Sequence, residues 1–245
     1  MGYRQMNIRL QEMTGARINA KKTYRLMQES GNLSAVRRRK WSPEVYMKRR
    51  ELKELAPPDL LKRDFTSDKP LRKFVTDNTY LYGKERKGYV NIVMDLFNRE
   101  IVAYSISETQ DAGFCIKSIE IMAGKYGEKL RGSILHSDLG SVFMSVEYRR
   151  VLEEHGIRQS AGDAGICYDN AAIESFNGIL KTEGLYSKFG KTRVKDNRIA
   201  IRELEEETRK FIEHYNVRRA KGSLGGLSPV EYREEYEKEG IRKSH

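Results

Sequence analysis

Apolar residues at Met6, Leu10 and Met13 recur at i, i+4 and i+7, the spacing of one helix face. Thr14-Gly15-Ala16 breaks that run. Asn19 then stands where an N-cap would open a second helix, in which Tyr24 and Met27 share a face before Ser30-Gly31-Asn32 ends it. Two short helices about a glycine-containing turn, flanked by Arg and Lys, have the plan of a helix-turn-helix. The charged runs Arg37-Arg38-Arg39-Lys40 and Lys48-Arg49-Arg50 lead on to Pro57-Pro58 and read as a basic, partly helical linker.

Beyond the prolines the period changes from helical to alternating. Phe74-Val75-Thr76 leads into Asp77 as a short strand, Tyr89–Met94 is a second and Ile101–Ile106 a third. Their short connections imply an antiparallel meander. Ala112–Tyr126 reads as a helix with Cys115, Ile119, Met122 and Ala123 on its inner face. Ser133–His136 is a fourth strand that stops at Ser137-Asp138. A helix over Ser145–His155, a short strand over Ile157–Gln159, a helix from Asn170 to Lys181 and a long helix from Ile199 to Tyr215 follow. This order is that of an α/β, ribonuclease H-like fold: a mixed five-stranded sheet with flanking helices, preceded by a small helical segment. The expected divisions are 1–40 (helix-turn-helix-like), 41–66 (basic linker), 67–220 (catalytic core) and 221–245 (tail).

Charge sharpens this picture. The net charge is +11, and residues 1–56 hold 14 Lys and Arg against 5 Asp and Glu, leaving 32 against 30 in the rest. Basic excess concentrated at the front is the footprint of a polyanion ligand. No apolar run approaches the roughly 20 residues of a membrane span, and Met1–Leu10 lacks the apolar stretch of a secretory signal. Two cysteines, Cys115 and Cys167, are too few for a disulfide framework or a zinc knuckle and read as small buried hydrophobes. A reducing, cytoplasmic setting follows.

Three acids fall where this element order brings chain segments together: Asp77 on the first strand, Asp138 just past the fourth, and Glu174 in the first turns of a helix. Phosphodiester chemistry uses hard oxygen ligands for Mg2+ or Mn2+, and two such ions about 4 Å apart serve both the attacking and the leaving oxygen. Carboxylates crowded together without a cation repel one another, so a cluster of this kind calls for metal. Any one of the 35 acidic residues taken alone is more simply a surface charge.

The surroundings of the three acids carry a resemblance. Phe74–Tyr80, His136–Ser141 and Tyr168–Phe176, continued by Leu180-Lys181-Thr182-Glu183, resemble the first-aspartate, second-aspartate and glutamate motifs of insertion-sequence transposases of the retroviral-integrase type. Asp138 and Glu174 are 36 positions apart, the separation this superfamily favours. Tyr215-Asn216, Arg219 and Leu227-Ser228-Pro229 resemble its C-terminal signature, and Gly2–Met27 its helix-turn-helix in the third insertion-sequence family.

The resemblance implies a DDE transposase with Asp77, Asp138 and Glu174 as catalytic residues and ligands of two Mg2+ or Mn2+ ions. It implies DNA contacts from Asn170 and Lys181, to which the basic run Arg37, Arg38, Arg39 and Lys40 is added. Double-stranded DNA is the implied partner, bound by a homo-oligomer in the bacterial cytoplasm at the nucleoid. His136 is structural or catalytic, and Asp95 structural beside a basic neighbour. The chain departs from the family pattern at Phe74, Leu139, Val142, Asp163-Ala164 and Lys221, the last standing where a His is usual. It also begins at the helix-turn-helix, which suits a truncated copy, a short reading frame, or a protein that relies on an upstream-frame DNA-binding partner. Two other readings stay open: a catalytically silent DNA-binding descendant, and a ribonuclease H-like nuclease that cuts without joining.

Overall fold

A computed structural model describes residues 3–32, 54, 56–162 and 171–243. The chain divides into two compact units, Met1–Tyr46 and Met47–His245.

In the first unit, α1 (Tyr3–Thr14) and α2 (Ala20–Glu29) flank a turn at Gly15, whose φ is +66°. Asn19 caps α2 as its position predicts, its side chain accepting from the Lys21 N–H at 2.9 Å. The contact between the helices differs from the expected apolar face. Met13 is 80% exposed, and the buried residues are Asn7, Thr23 and Met27. Asn7 Nδ2 donates to Thr23 Oγ1 at 2.7 Å and to the Ile18 carbonyl at 3.0 Å. This polar clasp, with Tyr24 edge-on to Tyr3 at 5.3 Å, closes a pair too small to bury a wide apolar stripe.

The second unit is built on one mixed sheet of order β3-β2-β1-β4-β5. Its strands are β1 (Lys73–Tyr82), β2 (Lys87–Asp95), β3 (Ile101–Ser107), β4 (Ile134–Ser137) and β5 (Arg158–Ala161). β1, β2 and β3 form the antiparallel meander, while β4 pairs parallel to β1 and β5 parallel to β4. Helices α3 (Ala112–Tyr126) and α4 (Val146–Glu154) cover one face over Phe74, Val93, Ile119 and Leu135. The other face is covered by α5 (Ala171–Ile179) and α7 (Ile201–Val217), which set Phe176 and Phe211 over Val75 and Ile92; the short α6 (Lys191–Lys195) lies between them in the chain. Strand alternation assigns the two faces: Phe74 points to one, Val75 and Leu81 to the other.

Several features go beyond the sequence pattern. β1 does not stop at Asp77 but runs on to Tyr82, so the acid lies mid-strand. Its turn into β2 docks on the start of α7, where the Lys84 N–H donates to Ile199 O and Glu85 accepts from the Ile201 N–H. A Cβ at Gly83 would lie 2.6 Å from Ile201 Cβ, so only glycine fits this approach. α5 continues past Lys181 as a wide π-helical turn (Leu180–Tyr186) that buries Leu180 and Leu185 among the α7 residues. The tail forms α8 (Pro229–Lys243), held by Arg233 against the buried Glu100 at 2.8 Å. The last part of the expected linker packs on the core, with Leu61 2% exposed and the Leu60 N–H donating to Ser160 Oγ at 2.9 Å. Asp95 is structural, accepting from the backbone N–H groups of Leu71 and Phe97 rather than from a basic side chain.

Candidate active site

Asp77 shares its sheet face with Val75 and Leu81, and so looks toward α5. β1 and β4 run parallel with Val75 beside His136. Continued by two residues, that register sets Asp138 alongside Asp77, at the ~4.8 Å spacing of neighbouring strands. β4 ends at Ser137, and Asp138 sits in the turn that follows. There its Oδ1 accepts from the Gly140 N–H at 2.9 Å. A Cβ on Gly140 would come within 2.9 Å of the same oxygen, so a larger residue there would displace the Asp138 carboxylate.

Glu174 lies in the first turn of α5 and is exposed, as is Asp138. One helical turn on, Asn177 is buried and donates from Nδ2 to Asp77 Oδ2 at 2.9 Å, while its Oδ1 is buried with no partner among the described residues. The other Asp77 oxygen accepts from the Asn78 N–H at 2.8 Å. Sequence reasoning missed Asn177. Its signal was the i, i+3 spacing to Glu174, which puts both on one side of α5.

Burial pushes the Asp77 carboxyl up to about 6; the Asn78 and Asn177 bonds pull it down, and the negative charges of Asp138 and Glu174 push it up. The charges of Asp138 and Glu174 thus bear on the Asp77 carboxyl. Among the described residues, no three His, Cys, Asp or Glu side chains close into one ligating cluster. An all-oxygen donor set, an Asp77 oxyanion held only by amide donors and the orphaned Asn177 Oδ1 all suit a hard divalent ion.

The other sequence-marked residues fall as follows. His136 is buried and structural, with Nδ1 and Ser160 Oγ 2.8 Å apart, fastening β4 to β5, and its ring edge-on to Phe65. Leu139 and Val142 pack against the core under α3 and α4, which accounts for their apolar character. Cys115 is fully buried, and burial pushes its thiol up to about 12. Lys181 begins the wide turn after α5 and lines a cavity of about 380 Å³ with Tyr80, Tyr82 and Lys195. Asn170, Arg37, Arg38, Arg39, Lys40, Asp163, Ala164 and Cys167 lie outside the described residues. No helix among the described residues is long and apolar enough to cross a membrane.

Comparison with known proteins agrees with this architecture. Two models of the integrase core domain match residues 67–167 and 155–229. The chain is 36% identical over 235 residues to InsK, the transposase assigned to insertion sequence element IS150 in Escherichia coli (strain K12), covering 95% of this chain and 77% of that one. It is also 36% identical over 219 residues to a transposase-like protein of Haemophilus influenzae, covering 89% and 94%. Among solved structures, the simian T-cell lymphotropic virus intasome in complex with PP2A regulatory subunit B56 gamma aligns with a TM-score of 0.58 and 15% identity, over 92% of this chain and 73% of that chain. The HTLV-2 integrase catalytic core domain in complex with magnesium aligns with a TM-score of 0.50 and 18% identity, over 68% and 99%. These structural likenesses establish a ribonuclease H-like, integrase-type fold, and the sequence match across nearly the whole chain establishes that the protein belongs to the insertion-sequence transposases of the third insertion-sequence family.

Proposed function

We propose that the chain is a metal-dependent polynucleotidyl transferase that cuts DNA at the ends of an insertion sequence and joins the freed 3′-hydroxyl to target DNA. Asp77, Asp138 and Glu174 hold the metal. The observation that carries this reading is the buried carboxylate of Asp77, which accepts from the Asn78 N–H and from Asn177 of the helix that carries Glu174. Two Mg2+ or Mn2+ ions, when bound, would activate the attacking oxygen and stabilise the leaving one.

The chain's own contribution is placement. Asn78 and Asn177 orient the Asp77 carboxylate, and the Gly140 N–H holds one Asp138 oxygen and leaves the other to a ligand. α5 presents Glu174 from its first turn. Lys181, on the same helix and beside Tyr80 and Tyr82, contacts a phosphate near the cut, and Asn170 does so from the segment leading into α5. Arg37, Arg38, Arg39 and Lys40 supply sequence-independent attraction to nucleoid DNA. A homo-oligomer on DNA brings two ends together, with an upstream-frame polypeptide as a further partner for end recognition.

Asp138→Asn keeps the volume of the side chain and removes its charge. Cleavage and joining should fall at least about 100-fold, the scale of losing a major electrostatic contribution to the transition state, while DNA binding holds. Magnesium or manganese should support the wild type and calcium should not. A gel-resolved cleavage and strand-transfer assay beside a binding titration reads all of this. Undiminished cleavage by the variant, or wild-type cleavage in chelator, refutes the metal reading. Bound but uncut DNA with every metal and end sequence points to the silent descendant. Deleting residues 1–40 should flatten the plot of log affinity against log salt by about 0.9 for each phosphate no longer neutralised; an unchanged slope would place DNA binding on the core alone.

A further inference from the structure

The side of α5 opposite Glu174 and Asn177 lines a second cavity, of about 420 Å³, whose other walls include Phe65, Arg99, Tyr215 and Lys221. Two cations enter it from separate parts of the chain. Arg99 comes from the β2–β3 turn, where its φ is +64°. Its Nη2 donates to the Phe65 carbonyl at 3.0 Å, and its Nη1 is buried with no partner among the described residues. Lys221 comes from the segment after α7. Its Nζ donates to the Tyr215 hydroxyl at 2.5 Å and stands 4.5 Å from the centre of that ring.

Among the described residues, neither cation has an anion to neutralise it. The Phe65 carbonyl is neutral, and burial pushes the Tyr215 phenol up to about 12, so it stays protonated. Asp95, whose charge reaches Arg99, is already taken by the Leu71 and Phe97 N–H groups. Glu183 is taken by Arg219, which grips it through two bonds of 2.7 Å. Burial, together with the positive charges of Arg219 and Arg99, pushes the Lys221 ammonium down to about 8, and burial lowers Arg99. Half-buried like charges of this kind are costly unless a ligand supplies the missing negative charge.

The size and walls of the cavity narrow the ligand. A bare phosphate would leave most of about 420 Å³ open. Phe65 and Ile179 offer apolar and aromatic surface of the kind a sugar or base packs against, backed by the buried rings of Phe176 and Tyr215. Arg and Lys are the side chains that hold phosphate oxygens.

We propose that this cavity binds a nucleotide, with its phosphate on Arg99 and Lys221 and its sugar or base against Phe65 and Ile179. The nucleotide is either an unpaired unit of the DNA, which rests on the reading of the chain as a DNA-joining enzyme, or a free nucleotide, which does not.

The test uses the full chain in chelator, so it is independent of the carboxylate site and of whether cleavage occurs. dAMP and deoxyadenosine are titrated by calorimetry. Binding of a duplex with a single-stranded 3′ extension is measured between 50 and 200 mM salt, roughly the range over which counterion release is usually read. Each is done for the wild type, Lys221→Gln and Lys221→Arg. Removing one charged group from the phosphate should cost about tenfold in affinity, with Lys221→Arg retaining most of it. If Lys221→Gln weakens dAMP tenfold and leaves the DNA salt slope unchanged, the occupant is a free nucleotide. If it lowers the slope by about 0.7 to 0.9 and DNA displaces dAMP, the occupant is a unit of DNA. Unchanged binding of both probes overturns the proposal. Should Lys221→Gln fail to fold, thermal melting of the wild type decides: dAMP must stabilise it more than deoxyadenosine, and equal effects overturn the proposal.

Discussion

Replacing Asp138 by Asn should change how Asp77 titrates, in the absence of any metal or DNA. The charge of Asp138 helps to raise the Asp77 carboxyl, which sits at about 6. The β1–β4 register, continued past its last pair of Val75 and His136, brings Asp138 near Asp77, so a carboxylate separation of about 6 Å is a fair working distance. Two unit charges that far apart repel by roughly 0.7 kcal/mol in water and about 2.8 kcal/mol at an effective dielectric of 20. Asp138 is exposed, so the watery end applies, at ~0.7 to 1.4 kcal/mol. That corresponds to a fall in the Asp77 pKa of about half to one pH unit. The stability consequence has a definite sign. Asp77's folded value lies above its unfolded one, so its contribution to stability is full below 3.8 and is lost as pH rises through about 6. Asp138→Asn lessens that loss, so the variant should be more stable than the wild type at pH 7 by a similar ~0.7 to 1.4 kcal/mol. Carbon-detected NMR of the Asp77 side-chain carboxyl across pH 4 to 8 (roughly two units either side of 6), in chelator, reads the first effect and urea unfolding the second. An Asp77 titration that stays put or moves upward would show that the two acids do not face one another.

Two further outcomes concern the scaffold. Gly83→Ala should destabilise the fold by about 1–3 kcal/mol in urea unfolding, because the new Cβ meets the Ile201 Cα and backbone N within 2.9 Å and backbone cannot yield cheaply. Lys221 is lowered from 10.5 to about 8, so the stability tied to it is present above 10.5 and lost as pH falls through about 8; Lys221→Met should therefore gain melting temperature relative to the wild type at pH 7 and lose that advantage near pH 10.5.

The strands, α3 and the Asn19 cap were legible because each is a local pattern that the tertiary structure reinforces. Val90, Ile92 and Met94 fill the sheet face under α7, and Ile119 and Met122 form the buried face of α3. The family was legible through the resemblance of the motifs that flank Asp77, Asp138 and Glu174. What stayed hidden depends on partners distant in the chain. The extension of β1 to Tyr82 is held by pairing with β2 as far as Tyr82–Lys87, through residues whose alternation is blurred by Asp77 and Asn78. Asn177 looks like an ordinary polar helix residue until β1 is brought against α5. The Asn7–Thr23 clasp inverts the usual rule that apolar residues mark the contact. Helix α8 has few apolar positions, and its anchor, Glu100, lies 133 positions away from Arg233.

The place of β1 at the centre of the sheet also sets an order of events in time. Its pairing with β2 and β3 joins residues near in sequence, and such contacts close with little loss of chain entropy. Its pairing with β4 must close a loop of about sixty residues, from Lys73 to Ile134, and Asn177 reaches Asp77 across a separation of 100. On the ribosome the meander can therefore form as soon as residue 107 has emerged, holding Asp77 with neither of its acidic companions. Assembly of the three carboxylates waits for the chain beyond Glu174. A nascent or prematurely terminated product would carry the sheet's first half with Asp77 alone, so all three acids are present only once the chain has passed Glu174.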